Sequence, residues 1–523
     1  MKNLKYLLLS GTCISCLLFA SFKIKQSDGE VPVSFADTVR IAGGLISGVK
    51  GNDGNVTIFK GIPFAAPPVG ELRWKAPQPV SRWQGVKTCV AFGPSPMQNK
   101  PKAFSMWSAE FLIPEAPISE DCLYLNVWTG ARSQKEKRPV LVWIYGGGFN
   151  SGGSGVPIYD GEAMAKKGIV FVSMNYRVGM FGFFAHPELT KELGNNASGN
   201  YGLMDQVAAL QWVQKNIAAF GGDPGNVTIA GQSAGSMSVN FLVASPLAKG
   251  LFTKAIAESG ANFSRGSLTS QQAEQDGVKL IETLKASSVA DVRKIPAEEL
   301  LKARSTGRPN IDGYVIPDAI ANIFASGKQN NVTLLTGWNE DEGLLSGPIK
   351  SAADFRKQAK EQYGADAATF LKFYPASTDA EAATSQLKLS RDMIFGVQNF
   401  TWANVQSSQG KKVYVYRFTR KVPATGEYVK YGAFHTGEVP YAYDNLKFVN
   451  RPWKAVDRQM AKNMSNYWAN FIATGDPNGK GLPQWPAYTI ADKQIMILDT
   501  IQESKHLPDY EALEFMYGKM SGK

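Results

Sequence analysis

The chain has few groups that titrate near neutral pH. Of its 523 residues only three are histidines, His186, His435 and His506, so a mechanism needing an imidazole base has three candidates. Cysteine is almost as scarce. Cys13 and Cys16 lie in an apolar N-terminal stretch, which leaves Cys89 and Cys122 in the rest of the chain. Beyond that stretch no run is apolar enough to read as a membrane span. Charged residues make up only 19%, and the formal net charge of +11 is spread thinly. With no Lys/Arg cluster interleaved with aromatics, composition argues against a nucleic-acid partner. What is abundant is apolar residues, at 44%, without low-complexity segments, which is the make-up of a folded globular protein.

The N-terminus has the layout of an export signal. Lys2 and Lys5 precede mostly apolar residues 6–19, and Ala20 and Ser21 are small. We expect a signal peptide at 1–20, a flexible lead-in at 21–37 and one catalytic domain at 38–515, in a protein that is secreted or periplasmic. A retained membrane anchor is the competing reading of the first segment. In an exported chain the two remaining cysteines have one possible pairing, so a Cys89–Cys122 disulfide is expected.

Further along, short apolar runs alternate with helical patterns. Residues 140–145 and 169–174 are continuous apolar runs of strand length, as in parallel strands covered on both faces. Residues 201–220 carry Leu203, Val207, Leu210, Val213 and Ile217 at helical spacing before Gly221-Gly222-Asp223-Pro224. Further core strands are expected at 227–230, 255–257, 332–335 and 413–416. The alternation predicts an α/β fold with a doubly wound, mostly parallel sheet. The more helical residues 284–389 are expected as insertions over it.

Residues 231–235, Gly-Gln-Ser-Ala-Gly, fit Gly-x-Ser-x-Gly between a buried strand and a helical stretch. The pattern alone is unspecific. In this setting it reads as a nucleophile elbow, with Ser233 on a turn too sharp for side chains at its flanks. A serine nucleophile needs a base, a carboxylate to orient the base, and donors for the oxyanion. On this fold the base follows the serine. That excludes His186, whose Ala-His-Pro setting reads as a surface turn, and favours His435 over His506, which lies beyond the last expected core strand. Glu340, Asp341 and Glu342 follow the 332–335 strand, and spacing does not choose among them; Asp312 sits in another strand-end loop. Gly146-Gly147-Gly148 follows the 140–145 strand and suits an oxyanion loop, with the Ala234 N–H as a further donor.

These motifs, with Glu120-Asp-Cys-Leu-Tyr-Leu-Asn-Val127, residues 220–236, Asn175-Tyr-Arg-Val-Gly179 and Thr474-Gly-Asp-Pro-Asn478, resemble type-B carboxylesterases, the carboxylesterase/cholinesterase family, and most of all its bacterial members. The resemblance spans about residues 38–488 and implies an α/β-hydrolase. It implies a Ser233, Glu342, His435 triad, with Gly147, Gly148 and Ala234 as oxyanion donors. It also implies the Cys89–Cys122 disulfide and ion pairs of Arg73 with Glu120 and Arg177 with Asp205. The activity implied is hydrolysis of small-molecule carboxylic esters through an acyl-enzyme, with no metal or cofactor. The family also contains non-catalytic adhesion proteins, and a thioesterase or amidase would use the same triad; the intact triad argues against the adhesion reading. Cholinesterases carry Glu where Gln232 stands and a Trp near the first disulfide that no residue between Cys89 and Met97 supplies, so choline esters are not the expected substrate. Nothing in the sequence specifies an oligomeric state.

Overall fold

The computed structural model describes residues 38–264, 268–303, 307–344 and 347–521. The expected signal peptide and lead-in lie outside them. Among the described residues an 11-stranded sheet runs through the molecule. Its strands, in chain order, are β1 (Val49–Lys50), β2 (Thr57–Pro63), β3 (Tyr124–Thr129), β4 (Arg138–Ile144), β5 (Val170–Met174), β6 (Gly222–Gln232), β7 (Lys254–Glu258), β8 (Thr333–Asn339), β9 (Val413–Phe418), β10 (Gln494–Leu498) and β11 (Glu503–His506). Their spatial order is β11-β10-β9-β8-β7-β6-β4-β5-β3-β2-β1. Strands β5, β4, β6, β7, β8, β9 and β10 are mutually parallel. The strands at both margins are antiparallel.

Every residue from Val140 to Ile144 is buried. Side chains alternate across a strand, so both faces of the sheet must be covered. The covering elements include α1 (Tyr201–Asn216), α2 (Ala234–Ala244), α3 (Val397–Ser408) and α4 (Ala455–Thr474). Helix α1 ends where its apolar spacing ends, in a 3-10 turn closed by Gly221 at φ 76°. None of the helices among the described residues is long and apolar enough to cross a membrane. The core strand expected at 332–335 is present as β8, set among the helices of residues 284–389.

The chain leaves β4 toward β5 on one side, then returns to place β6 on the other side of β4. Strands β4 and β6 therefore flank the topological switch point, where open α/β sheets form a crevice at their carboxyl ends. Register pairs Gly231 with Ile144. A Cβ added at Gly231 would lie 2.8 Å from the Ile144 carbonyl oxygen, and one at Gly235 would lie 2.0 Å from it. Both glycines are thus required by backbone contact.

Two expected ion pairs tie the scaffold together. Arg177 meets Asp205 on α1 through Nε–Oδ2 at 2.8 Å and Nη2–Oδ1 at 2.7 Å, both side chains being buried. Arg73 grips Glu120 at 2.6 Å through both Nε and Nη2. Its Nη1 donates to the carbonyls of Arg293 at 3.1 Å and Ile295 at 2.8 Å, fastening the helical insertion to the N-terminal part.

The expected disulfide is not formed. Cys89 and Cys122 are free, buried thiols. The Cys89 N–H and C=O are fixed by Ser47 and Lys60, each at 2.8 Å. Burial pushes the Cys89 thiol up to about 11 and the Cys122 thiol well above its ordinary range. The strand pairings around them hold this region without a bridge.

Gly235→Ala should fail sterically, since backbone cannot move aside as a flexible side chain can. We expect a loss of about 3 kcal/mol or more, or no soluble protein. Urea denaturation beside the unsubstituted protein measures it, and an unchanged midpoint would disprove the contact.

Candidate active site

Ser233 occupies the junction of β6 and α2 with φ 58° and ψ −125°. A non-glycine residue in that region stores about 1–3 kcal/mol of strain, which the surroundings must hold. They do so through the backbone. The Ser233 N–H donates to the Glu258 carbonyl at 2.9 Å, and the Ser233 carbonyl accepts from Met237 at 2.9 Å. The side chain is thereby directed into a cavity of about 610 Å³ whose wall also includes Gly147, Gly148, Gln232 and His435.

The glycine loop after β4 faces the elbow. A Cβ at Gly146 would meet the Ser233 Cβ at 2.9 Å. Gly147 and Gly148 have φ of 121° and 61°, and the Gly147 carbonyl accepts from Asn150 at 3.0 Å and Ser151 at 3.1 Å. Among the described residues the backbone N–H groups of Gly147, Gly148 and Ala234 donate to no protein acceptor. Three unengaged donors beside a serine suit a developing oxyanion.

Three consecutive carboxylates follow β8, and each has a separate partner. Glu340 lies between Arg391 at 2.7 Å and Arg417 at 2.6 Å. Asp341 accepts from the Ala433 N–H at 2.8 Å, while its own N–H donates to the Ala433 carbonyl at 3.0 Å. Glu342 accepts from the Asn339 N–H at 2.8 Å through Oε1 and meets His435 Nδ1 at 2.8 Å through Oε2. The Asn339 amide donates to the Phe434 carbonyl at 2.8 Å. The loop carrying Glu342 and the loop carrying His435 are therefore bonded together beside the Glu342–His435 contact as well.

A carboxylate only accepts, so this contact places the His435 proton on Nδ1 and leaves Nε2 as an acceptor. The Gln232 amide nitrogen lies 3.2 Å from Nε2, and its oxygen accepts from the Thr436 hydroxyl at 3.4 Å. Thr436 in turn accepts from Trp107 Nε1 at 3.1 Å. Phe395 stacks on the imidazole at 4.5 Å between centroids. It stands on a π-helical segment, Asp392–Gly396, a distortion that often marks functional sites. No hydrogen bond joins Ser233 Oγ to His435 in this structure. Catalytic hydrogen bonds are often long in ligand-free structures and tighten only with substrate present.

The other sequence candidates lie elsewhere. The His186 side chain is buried rather than on a surface turn, and its Nδ1 accepts from the Glu188 N–H at 3.2 Å to cap Pro187–Glu192. His506 is exposed on the edge strand β11, which extends the sheet past the last strand expected. Asp312 closes its own turn by accepting from Tyr314 at 3.1 Å and Ile316 at 2.9 Å.

Two buried carboxylates at the site were not singled out from sequence. Glu258, at the end of β7, accepts from Tyr443 and Trp468, each at 2.9 Å. Glu438 accepts from the Asn339 amide. Burial pushes Glu258 up to about 7, and burial with the charges of Glu258 and Glu342 holds Glu438 well above the usual carboxylate range. The available signals were a charged residue ending the apolar run Ala255-Ile256-Ala257 and, for Glu438, its place three residues after His435 in Glu438-Val-Pro-Tyr441. Among the described residues no group of His, Cys, Asp and Glu is arranged to hold a metal ion.

The sheet order and the cavity at its switch point define an α/β-hydrolase. The chain belongs to the Carboxylesterase family, which it matches over residues 36–516, and it is a carboxylic ester hydrolase. It is similar to a fumonisin B1 esterase of Sphingopyxis macrogoltabida, at 36% identity over 84% of this chain and 83% of the relative. A para-nitrobenzyl esterase of Bacillus subtilis is 34% identical over 90% and 96%, and liver carboxylesterase 1 of Oryctolagus cuniculus is 34% identical over 91% of each.

Two predictions follow from this geometry. A carboxyl raised in the folded state binds its proton more tightly there than in the unfolded chain. Its stabilisation is full below the ordinary value of 4.5 and is lost as pH rises toward about 7. Glu258→Gln imitates the protonated form, so it should be more stable than the unsubstituted protein by about 1–3 kcal/mol near pH 8, with the gap closing near pH 4.5. Urea titrations across that range read it, and a gap independent of pH would refute it. Gln232→Glu should place a carboxylate beside the imidazole and favour its cationic form. The acid limb of the kcat/KM profile should then move up by about one pH unit, and an unmoved limb would show that the amide does not sense the ring.

Proposed function

We propose that Ser233 attacks the ester carbonyl while His435 Nε2 takes its proton, forming an acyl-enzyme. His435 then delivers that proton to the departing alcohol, and water repeats the cycle on the acyl group. Glu342 holds the Nδ1–H tautomer and stabilises the imidazolium. Gly147, Gly148 and Ala234 stabilise the oxyanion, and loss of one such donor typically costs about 2.7–4 kcal/mol in the transition state. The observation carrying this reading is the 2.8 Å contact between His435 Nδ1 and Glu342 Oε2 on a cavity that Ser233 shares.

The names of two relatives make para-nitrobenzyl and fumonisin B1 esters suitable first probes. We also propose that the chain is exported, on the strength of the basic and apolar pattern of residues 1–20. Ser233→Ala should lower kcat for a para-nitrophenyl ester by about a millionfold, to background, and abolish covalent labelling by a fluorophosphonate. Retention of most activity in purified, folded Ser233→Ala protein would overturn the assignment.

A further inference from the structure

The catalytic cavity has a one-sided charge. Among the described residues, the charged side chains on its wall are Lys100 and Lys102, and no Asp or Glu lines it. Neither lysine has an ion-pair partner among the described residues. A cleft walled by one sign of charge concentrates ligands of the opposite sign.

The segment that carries these lysines is anchored at both ends to the site. At its start, the buried Gln98 donates to the Gly152 carbonyl at 2.7 Å and accepts from the Gly152 N–H at 2.8 Å. That clamps it to the turn following the glycine loop. At its end, Trp107 donates to Thr436 beside His435. Between the anchors, Phe104 and Trp107 exchange backbone hydrogen bonds at 3.2 and 3.0 Å. The two lysines therefore belong to a short loop on the wall of the site, held at both ends. Below them the wall is apolar, with Phe111, Leu112, Ile113 and Leu344.

Resting on the ester-hydrolase reading above, we propose that this cavity selects esters that carry a carboxylate away from the scissile bond, with Lys100 and Lys102 recognising that charge and the apolar wall taking the remainder. Lysine suits this role because its flexible point charge places no fixed angle on the anion.

Matched ester pairs test the proposal. On the acyl side, the para-nitrophenyl monoester of adipic acid is compared with para-nitrophenyl hexanoate. On the alcohol side, meta-carboxyphenyl butyrate is compared with meta-carbamoylphenyl butyrate. The readout is the ratio of kcat/KM, anionic over neutral, in which a general loss of activity cancels. In at least one pair the ratio should favour the anion by about fivefold at low salt, two exposed charge pairs being worth that much. It should shrink toward one in about 0.5 M sodium chloride. It should also fall toward one in Lys100→Gln/Lys102→Gln and below one in Lys100→Glu/Lys102→Glu, with circular dichroism confirming the fold of each. Ratios at or below one in the unsubstituted protein, or ratios unmoved by both double variants, would overturn the proposal while leaving ester hydrolysis standing. Absence of turnover on every ester together with absence of fluorophosphonate labelling would remove the hydrolase reading and this one with it.

Discussion

The carbonyl oxygen of Ile144 is where the molecule's two halves of chemistry meet. Strand β4 ends there and releases the glycine loop, while β6 and α2 close around the same oxygen at Gly231 and Gly235. No side chain fits at either position, so the approach is set by backbone alone. It brings the serine turn against the glycine loop and forces Ser233 into a φ that L-residues avoid. The strain is sustained because the Ser233 N–H and C=O are both engaged and the strands on either side are fully buried. The distance between Ser233 and the glycine loop thus follows from sheet register, not from loop flexibility.

The remaining parts of the site arrive from β8 and β9 as a bonded pair of loops. Glu340, Asp341 and Glu342 look interchangeable as letters, yet each is committed to a different partner. The arginines beside Glu340 are nearly inaccessible and balanced by Asp392 and Asp509 as well as Glu340. Buried charges are tolerable only when compensated in this way, and removing one member would leave others unpaired. Glu342 itself engages both oxygens, one with the Asn339 N–H and one with His435 Nδ1. Burial biases Glu258 and Glu438 toward their neutral forms.

Much of this architecture could be read from local pattern. Strands β4, β5 and β6 show as apolar runs because both faces are buried, and the glycines around Ser233 show because a sharp turn and a close backbone approach leave no substitute. The choice among three adjacent carboxylates needed the family resemblance, since their separation in role arises from partners 51 to 93 residues away. What the pattern hid was long-range. Cys89 and Cys122 looked like a pair by count, but in the fold they are free, buried thiols. His186 looked superficial from its proline neighbour, whereas its side chain is a buried helix cap. Trp107 and Phe395 converge on His435 from 328 and 40 positions away, and no local signal records such a meeting.

The reciprocal pairing of Asp341 with Ala433 bears on how such an enzyme can change. Acid and base loops joined in this way form one inherited block, in which a substitution in either is felt by both. The segment from Gln98 to Trp107 has a different character, held at its ends and free of catalytic duties between them. A substitution between those anchors therefore leaves the bonds joining the Glu342 and His435 loops in place.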